Sequence, residues 1–261
     1  MKNIDQHKLG SFAWFELATT DQSAAKKFYS SLFGWDPVDM PMGPDATYTM
    51  FRIQGRDAAG GYTLMPQMRD AGVPPHWALY IAVSSADETA AKVAQAGGTV
   101  VMGPIDVFDI GRMIVVRDPT GAMINFWQEK RSNVNRVAEA PGTVCWADLN
   151  TQDVPKGTEF YGKVLGWKWE ASEHDHSGYL HIKNGDEMIG GAPPSHMLPP
   201  NVPPHWMLYF LVSDVDASTR KLAELGGKVF MGPMDIPNAG RFSIVTDPQG
   251  AAFALFTMAQ K

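Results

Sequence analysis

The chain repeats itself. Residues 74 to 128 align without a gap on residues 203 to 257, and about 25 of the 55 pairs are identical. Pro74-Pro75-His76-Trp77 returns as Pro203-Pro204-His205-Trp206, Met102-Gly103-Pro104 as Met231-Gly232-Pro233, and Asp118-Pro119 as Asp247-Pro248. Upstream, Trp14 matches Trp146, Phe28-Tyr29 matches Phe160-Tyr161, and Gly34-Trp35 matches Gly166-Trp167. A tandem duplication of this length restricts the fold to one architecture used twice. We place the first copy at residues 8–130, a linker at 131–142 and the second copy at 143–261. The polar run Gln128 to Gly142, ending in Ala140-Pro141-Gly142, suits a surface linker.

Each copy divides again. Phe12 to Ala18 reads as a strand, followed by Asp21 as the N-cap of a helix with apolar residues at Ala24, Ala25, Phe28, Tyr29 and Leu32. Gly34 ends that helix. Strands follow near Tyr48 to Ile53 and Gly61 to Met65. A second series begins with the β-type run Trp77 to Val83. Ser85 and Glu88 have capping-box spacing for a helix that stops at Gly97-Gly98, and strands are expected at Thr99–Met102, Arg112–Val116 and Met123–Trp127. The expected fold is therefore α+β, with four βαβββ modules in the chain.

Alternation along the strands sorts side chains between a helix-covered face and an open one. Ala13, Phe15 and Leu17, with Cys145, Ala147 and Leu149 in the second copy, are expected under the helix. Trp14, Glu16, Ala18, Trp146, Asp148 and Asn150 point the other way. His76, Ala78 and Tyr80, with His205, Met207 and Tyr209, share that open face. Each copy thus keeps a tryptophan, a carboxylate, a histidine and a tyrosine there, and that is where a site is expected.

Composition removes several function classes. With 22 Lys and Arg against 28 Asp and Glu, and no long basic cluster, nucleic acid is not an expected partner. No apolar stretch has the length of a membrane span, and Met1 to Asp5 lacks a leader-like apolar run, so no membrane partner and a cytoplasmic location are expected. The single cysteine, Cys145, excludes an intrachain disulfide.

Phe28-Tyr29 before Leu32-Phe33-Gly34-Trp35, Ala96-Gly97-Gly98, and Asp118-Pro119-Thr120-Gly121 before an apolar strand resemble the vicinal oxygen chelate superfamily. So do their counterparts Phe160-Tyr161, Val164-Leu165-Gly166-Trp167, Leu225-Gly226-Gly227 and Asp247-Pro248-Gln249-Gly250. That family includes glyoxalase I, bleomycin- and fosfomycin-resistance proteins and extradiol dioxygenases. The resemblance implies two U-shaped mixed-sheet barrels, each with a concave cleft for a ligand or metal. It also implies where a metal would be held. Those positions fall on Trp14, on Tyr62 or Leu64, on Ala78 and on Asn125. In the second copy they fall on Trp146, on Ala192 or Pro194, on Met207 and on Ala254. Indole, methyl and thioether groups cannot replace the imidazoles and carboxylates that divalent transition metals need. No metal ligand or cofactor is therefore expected.

The candidate catalytic groups are Glu16 and Asp148, acting as general bases or as anchors for a cationic or hydroxyl-bearing ligand. The plain alternative is a structural carboxylate paired with Arg112 or Arg241. His76 and His205 could act as acid–base groups or simply bond the rim backbone. Tyr80 and Tyr209 could orient a ligand or fill the cleft. Trp14, Trp127, Trp146 and Phe256 could sandwich a flat ligand, or pack. Tyr62, Asn125, Arg112 and Arg241 complete the ligand-binding set. His174, His176 and His181 with Asp175 form a cluster that suggests adventitious metal affinity, since residues 173–178 read as an exposed turn.

The function expected is uptake of a small aromatic or amphipathic molecule without the family's usual metal. The alternative is a lyase, isomerase or dioxygenase using an unorthodox metal set of Glu16, His76 and Asn125, or a metal-free carboxylate base. The fused pair is expected as a monomer, its own internal pseudo-dimer, or as a homodimer.

Overall fold

The structure, a computed structural model, describes residues 1–43, 46–131, 134–171 and 177–259. A short strand β1 (Lys2–Ile4) precedes the first module, which runs β2 (Phe12–Thr19), α1 (Gln22–Phe33), β3 (Asp36–Pro41), β4 (Thr47–Ile53) and β5 (Arg56–Thr63). A five-residue helix α2 (Pro66–Asp70) leads to the second module: β6 (His76–Ala82), α3 (Ala86–Gln95), β7 (Thr99–Val107), β8 (Gly111–Arg117) and β9 (Met123–Glu129). After β10 (Arg136–Ala138) the pattern returns as β11 (Val144–Asn150), α4 (Val154–Leu165), β12 (Lys168–Ala171), β13 (Leu180–Asn184) and β14 (Glu187–Ala192). The last module is β15 (His205–Leu211), α5 (Val215–Glu224), β16 (Lys228–Ile236), β17 (Gly240–Thr246) and β18 (Ala252–Met258).

The caps foreseen in the sequence are in place. Asp21 accepts from the Ala24 amide at 2.9 Å, and Ser85 accepts from the Glu88 amide at 3.2 Å. Gly34 closes α1 with φ at 70°, a left-handed conformation that suits glycine. Strand β3 was not foreseen, because Asp36, Pro37, Asp39 and Pro41 have poor strand propensity. It forms because it lies at the sheet edge, where proline removes no needed ladder bond.

Each copy makes one sheet. The first runs β3-β4-β5-β2-β6-β9-β8-β7, and the second β12-β13-β14-β11-β15-β18-β17-β16. Modules join through antiparallel pairs in matching register, Glu16 opposite Ala78 and Asp148 opposite Met207. Both joints carry a bulge, between Phe12 and Trp14 and between Val144 and Trp146. The bulge corrects two face assignments. Ala13 leaves the helix side and packs with Tyr80, Ala82 and Met113. Its counterpart Cys145 donates its thiol to the Tyr209 carbonyl oxygen at 3.5 Å, while Val144, Ala147 and Leu149 keep the helix side.

One hydrophobic core runs through both copies, from Phe15, Tyr29 and Trp77 to Tyr161, Trp206 and Phe253. The helix-covered faces meet in the middle, where Phe33 of α1 stacks on Phe210 of β15 at 5.1 Å. The two concave faces are left outside. The connection between copies is not the surface linker expected. Asn3 pairs with Val137, Asp57 pairs with Arg136, and Arg136, Val137 and Ala140 are buried.

Candidate functional site

On the first concave face, Glu16 stands at the centre of β2. Its Oε1 accepts from the Tyr48 hydroxyl at 2.8 Å and its Oε2 from the Tyr80 hydroxyl at 2.7 Å. The Trp14 indole N–H donates to the Tyr48 oxygen at 2.7 Å. The second face repeats this. Asp148 accepts from Tyr179 at 2.5 Å, from Tyr209 at 2.8 Å and from the Trp146 indole at 3.0 Å, and Trp146 also reaches the Tyr179 oxygen at 2.7 Å. Each copy thus holds one carboxyl between two phenols, with an indole behind one of them.

Glycines make this possible. Gly60 pairs with Glu16, and Gly191 pairs with Asp148. A Cβ on Gly60 would overlap the Tyr48 hydroxyl, and one on Gly191 the Tyr179 hydroxyl. Only a bare α-carbon lets each tyrosine cross the neighbouring strand to the carboxyl.

Burial sets the electrostatics. Desolvation raises the Glu16 carboxyl above its ordinary range, against the pull of Tyr80 and Tyr48. Asp148 is likewise raised by burial, against Tyr179, Tyr209 and Trp146. Burial and then the adjacent carboxylate push Tyr48, Tyr80 and Tyr209 well above the usual phenol range, so they remain donors. Tyr62 is raised for the same two reasons, burial first and Glu16 second. A carboxyl held this way can anchor a donor, or take up a proton more readily than a free one.

Other expected residues sort into three groups. Asn125 lies beside Tyr80 in register and is buried, and Trp127 packs half-buried with Trp14 around the Ala13 cluster. Phe256 meets Tyr209 edge-on at 6.5 Å. These keep the concave side. His76 and His205 also lie on that side, but each directs Nδ1 to a rim carbonyl, Pro74 and Pro203, both at 2.8 Å. Burial lowers His205.

Arg112 and Arg241 are corrections, because they sit on the helix side. Arg112 grips Asp87 of α3 through two bonds and Asp106 through a third, and Arg241 does the same with Asp216 and Asp235. They pin α3 and α5 to their sheets and meet neither Glu16 nor Asp148. The plain alternative for those carboxylates therefore fails too, since phenols and not guanidinium groups satisfy them.

Sequence reasoning missed Tyr48 and Tyr179. The register also shifts one expected equivalence. Gly60 corresponds to Gly191, so Tyr62 corresponds to Pro193 rather than to Ala192. Aligned that way, Tyr48 falls on Tyr179, the signal that would have found both. His181 is on strand β13; His174, Asp175 and His176 lie outside the described residues.

The donors do not fit the family's usual metal. The carboxyl oxygens are engaged by tyrosines, and among the described residues no three His, Cys, Asp or Glu side chains converge. The unorthodox set is not assembled either. His76 stands two residues along β6 from Ala78, the residue opposite Glu16, with its Nδ1 engaged at the rim. A separate polar depression lined by Gln22, Lys26, Asp39, Thr47 and Thr63 is internally satisfied, Lys26 by Asp39 and Gln22 by Thr49.

The profile of the Glyoxalase/Bleomycin resistance protein/Dioxygenase superfamily matches residues 11–126 and 143–255. The chain belongs to that superfamily, with one unit in each copy. CFP32 of Mycobacterium tuberculosis, named as a candidate glyoxylase, is 40% identical over 98% of this chain and 97% of its own length. The anthracycline biosynthesis protein DnrV of Streptomyces peucetius is 33% identical over 94% of this chain and 92% of its own. Among solved structures, the Mn(II)-bound glyoxalase of Novosphingobium aromaticivorans superposes with a TM-score of 0.66 at 19% identity, covering 96% of this chain and 82% of that one. The 2,3-dioxygenase LapB of Pseudomonas sp. KL28 gives the same score at 14% identity, over 96% and 92%. These two show the fold.

Proposed function

We propose that the protein binds a small, flat aromatic or amphipathic molecule against its concave faces, without the metal ion typical of its superfamily. Glu16 and Asp148 are the polar anchors, and Trp14, Trp127, Trp146, Tyr209 and Phe256 form the walls. The observation that carries this reading is the repeated cluster of one carboxyl between two phenols and an indole. Aromatic walls with a few convergent polar groups are the usual make-up of a small-molecule site. The relative named for anthracycline biosynthesis supports a polycyclic aromatic ligand. Thermal melting with a panel of polycyclic aromatics tests it. Such ligands should raise the melting temperature, and elemental analysis should find no stoichiometric transition metal. Stabilisation by a bound metal alone, with no response to any aromatic, would overturn the reading.

A second reading is favoured by the raised carboxyls and by the relative named as a candidate glyoxylase. In it Glu16 or Asp148 is the general base of a metal-independent enzyme, removing a proton from a carbon next to a carbonyl. Glu16→Gln and Asp148→Asn would then abolish turnover while leaving ligand affinity within a few fold. Under the first reading, affinity falls instead.

A further inference from the structure

The two concave faces differ at one position fixed by register. Met50 pairs with Gly60, which pairs with Glu16; His181 pairs with Gly191, which pairs with Asp148. His181 therefore stands in the second copy where the first has Met50. The neighbouring edge strand changes with it, from Val38 opposite Met50 to Glu170 opposite His181. One wall of the cleft is thioether and aliphatic in the first copy, and imidazole and carboxylate in the second.

The His181 ring meets Tyr179 edge-on at 5.0 Å and Trp146 edge-on at 5.9 Å, so two arms of the Asp148 cluster hold it. Its Nδ1 is buried and, among the described residues, has no hydrogen-bond partner. An imidazole nitrogen in that condition is less costly as a bare lone pair than as a stranded N–H. The tautomer that strands no N–H carries its hydrogen on Nε2, which makes His181 a hydrogen-bond donor through that atom.

Resting on the reading that the concave faces bind aromatics, we propose that the second face recognises a planar ring carrying a carbonyl oxygen, received by the His181 N–H. The first face, with Met50 at that place, takes planar rings without that requirement. Methionine adapts to flat apolar surfaces but donates nothing.

The test compares 9-fluorenone with fluorene, the same ring system with and without the carbonyl, titrated into the full chain. Infrared spectroscopy of bound fluorenone reads the ketone stretch. Wild type should bind one equivalent of fluorenone roughly tenfold more tightly than fluorene, the weight of one hydrogen bond, with the stretch shifted down. His181→Met should remove both the preference and the shift. His181→Gln, which retains a donor, should restore part of each, and Met50→His should create a second fluorenone-selective equivalent. Matching fluorenone affinity and stretch in wild type and His181→Met overturn the proposal while aromatic binding stands. If neither ring binds at all, the underlying reading falls and the proposal falls with it.

Discussion

Glu16 and Asp148 are held against their own solvation. A carboxyl whose folded pKa is raised above its unfolded value binds protons more tightly when folded. Its contribution to stability is fully present below the unfolded pKa and is lost as pH rises through the folded one. Near neutral pH these groups are therefore a cost. Glu16→Gln and Asp148→Asn should each raise stability at pH 7.5 by about 1 kcal/mol, seen as a gain of about 2–4 °C in melting temperature. The gain should vanish at pH 4, and the same variants should lose aromatic ligand binding. Gly60→Ala should do the opposite. Its methyl displaces the Tyr48 hydroxyl from Glu16, so urea unfolding should report a loss of about 1–3 kcal/mol from overpacking, with weaker binding at the first face only. The carboxyl row and its Tyr80 and Tyr209 partners were legible from strand alternation alone. Tyr48 and Tyr179 were not, because the three-residue difference in length between the copies hides their alignment. The place of His181 in a strand is hidden differently, since β13 begins just past residues that read as a turn.

Elements show where parity reasoning works and where it stops. Phe15, Leu17, Trp77, Leu79 and Ile81 reach the core face expected of them. Ala13 and Cys145 do not, since one bulged residue reverses the face of everything before it. The linker strand β10 was illegible for a related reason. A polar composition signals exposure on average, yet Arg136 is buried and donates to the Phe12 and Ala13 carbonyls at 2.8 and 2.7 Å, at the bulge itself. Its guanidinium lies 4.9 Å from the Phe15 ring centroid, and desolvation lowers it to about 10. Arg136→Met leaves those carbonyls unsatisfied, and chemical denaturation should show a loss of about 2–3 kcal/mol. His7 bonds Glu129 nearby at 3.2 Å, and burial, then the charge of Arg136, lowers it to about 4. The unfolded chain therefore protonates His7 first. Stability should fall as pH drops from about 6.5 to 4, by on the order of 2 kcal/mol given the partial burial. A His7→Gln variant should show a flatter profile over that window.

For the whole molecule, duplication was the plainest message of the sequence, but the way the copies interlock was not in it. Tyr29 and Tyr161 read as ordinary helix-face residues, and Asp118 and Asp247 only as parts of the repeated motifs. The structure links them crosswise. Tyr29 donates to Asp247 of the other copy at 3.0 Å, and Tyr161 to Asp118 at 2.8 Å. Trp77 and Trp206 donate in turn to those tyrosine oxygens. Asp118 Oδ1 and Asp247 Oδ1 each gather three backbone amides of their own turns, so the carboxylates are fixed before the tyrosines arrive. Because each copy carries both a tyrosine and an aspartate, two identical copies could make the same pair of links by twofold symmetry. The second copy expressed alone would expose Phe210 and Phe253, which the first copy now covers with Phe33. Residues 143–261 should therefore sediment as a homodimer in which Tyr161 bonds Asp247 of the opposing chain. Tyr161→Phe in that fragment should weaken dimerisation by about 1–3 kcal/mol, the cost of leaving a buried carboxylate short of one donor. In the full chain, both copies should unfold in a single transition, because the main core is shared between them. A stable monomeric fragment, or two resolved transitions in calorimetry, would show that the shared core is dispensable.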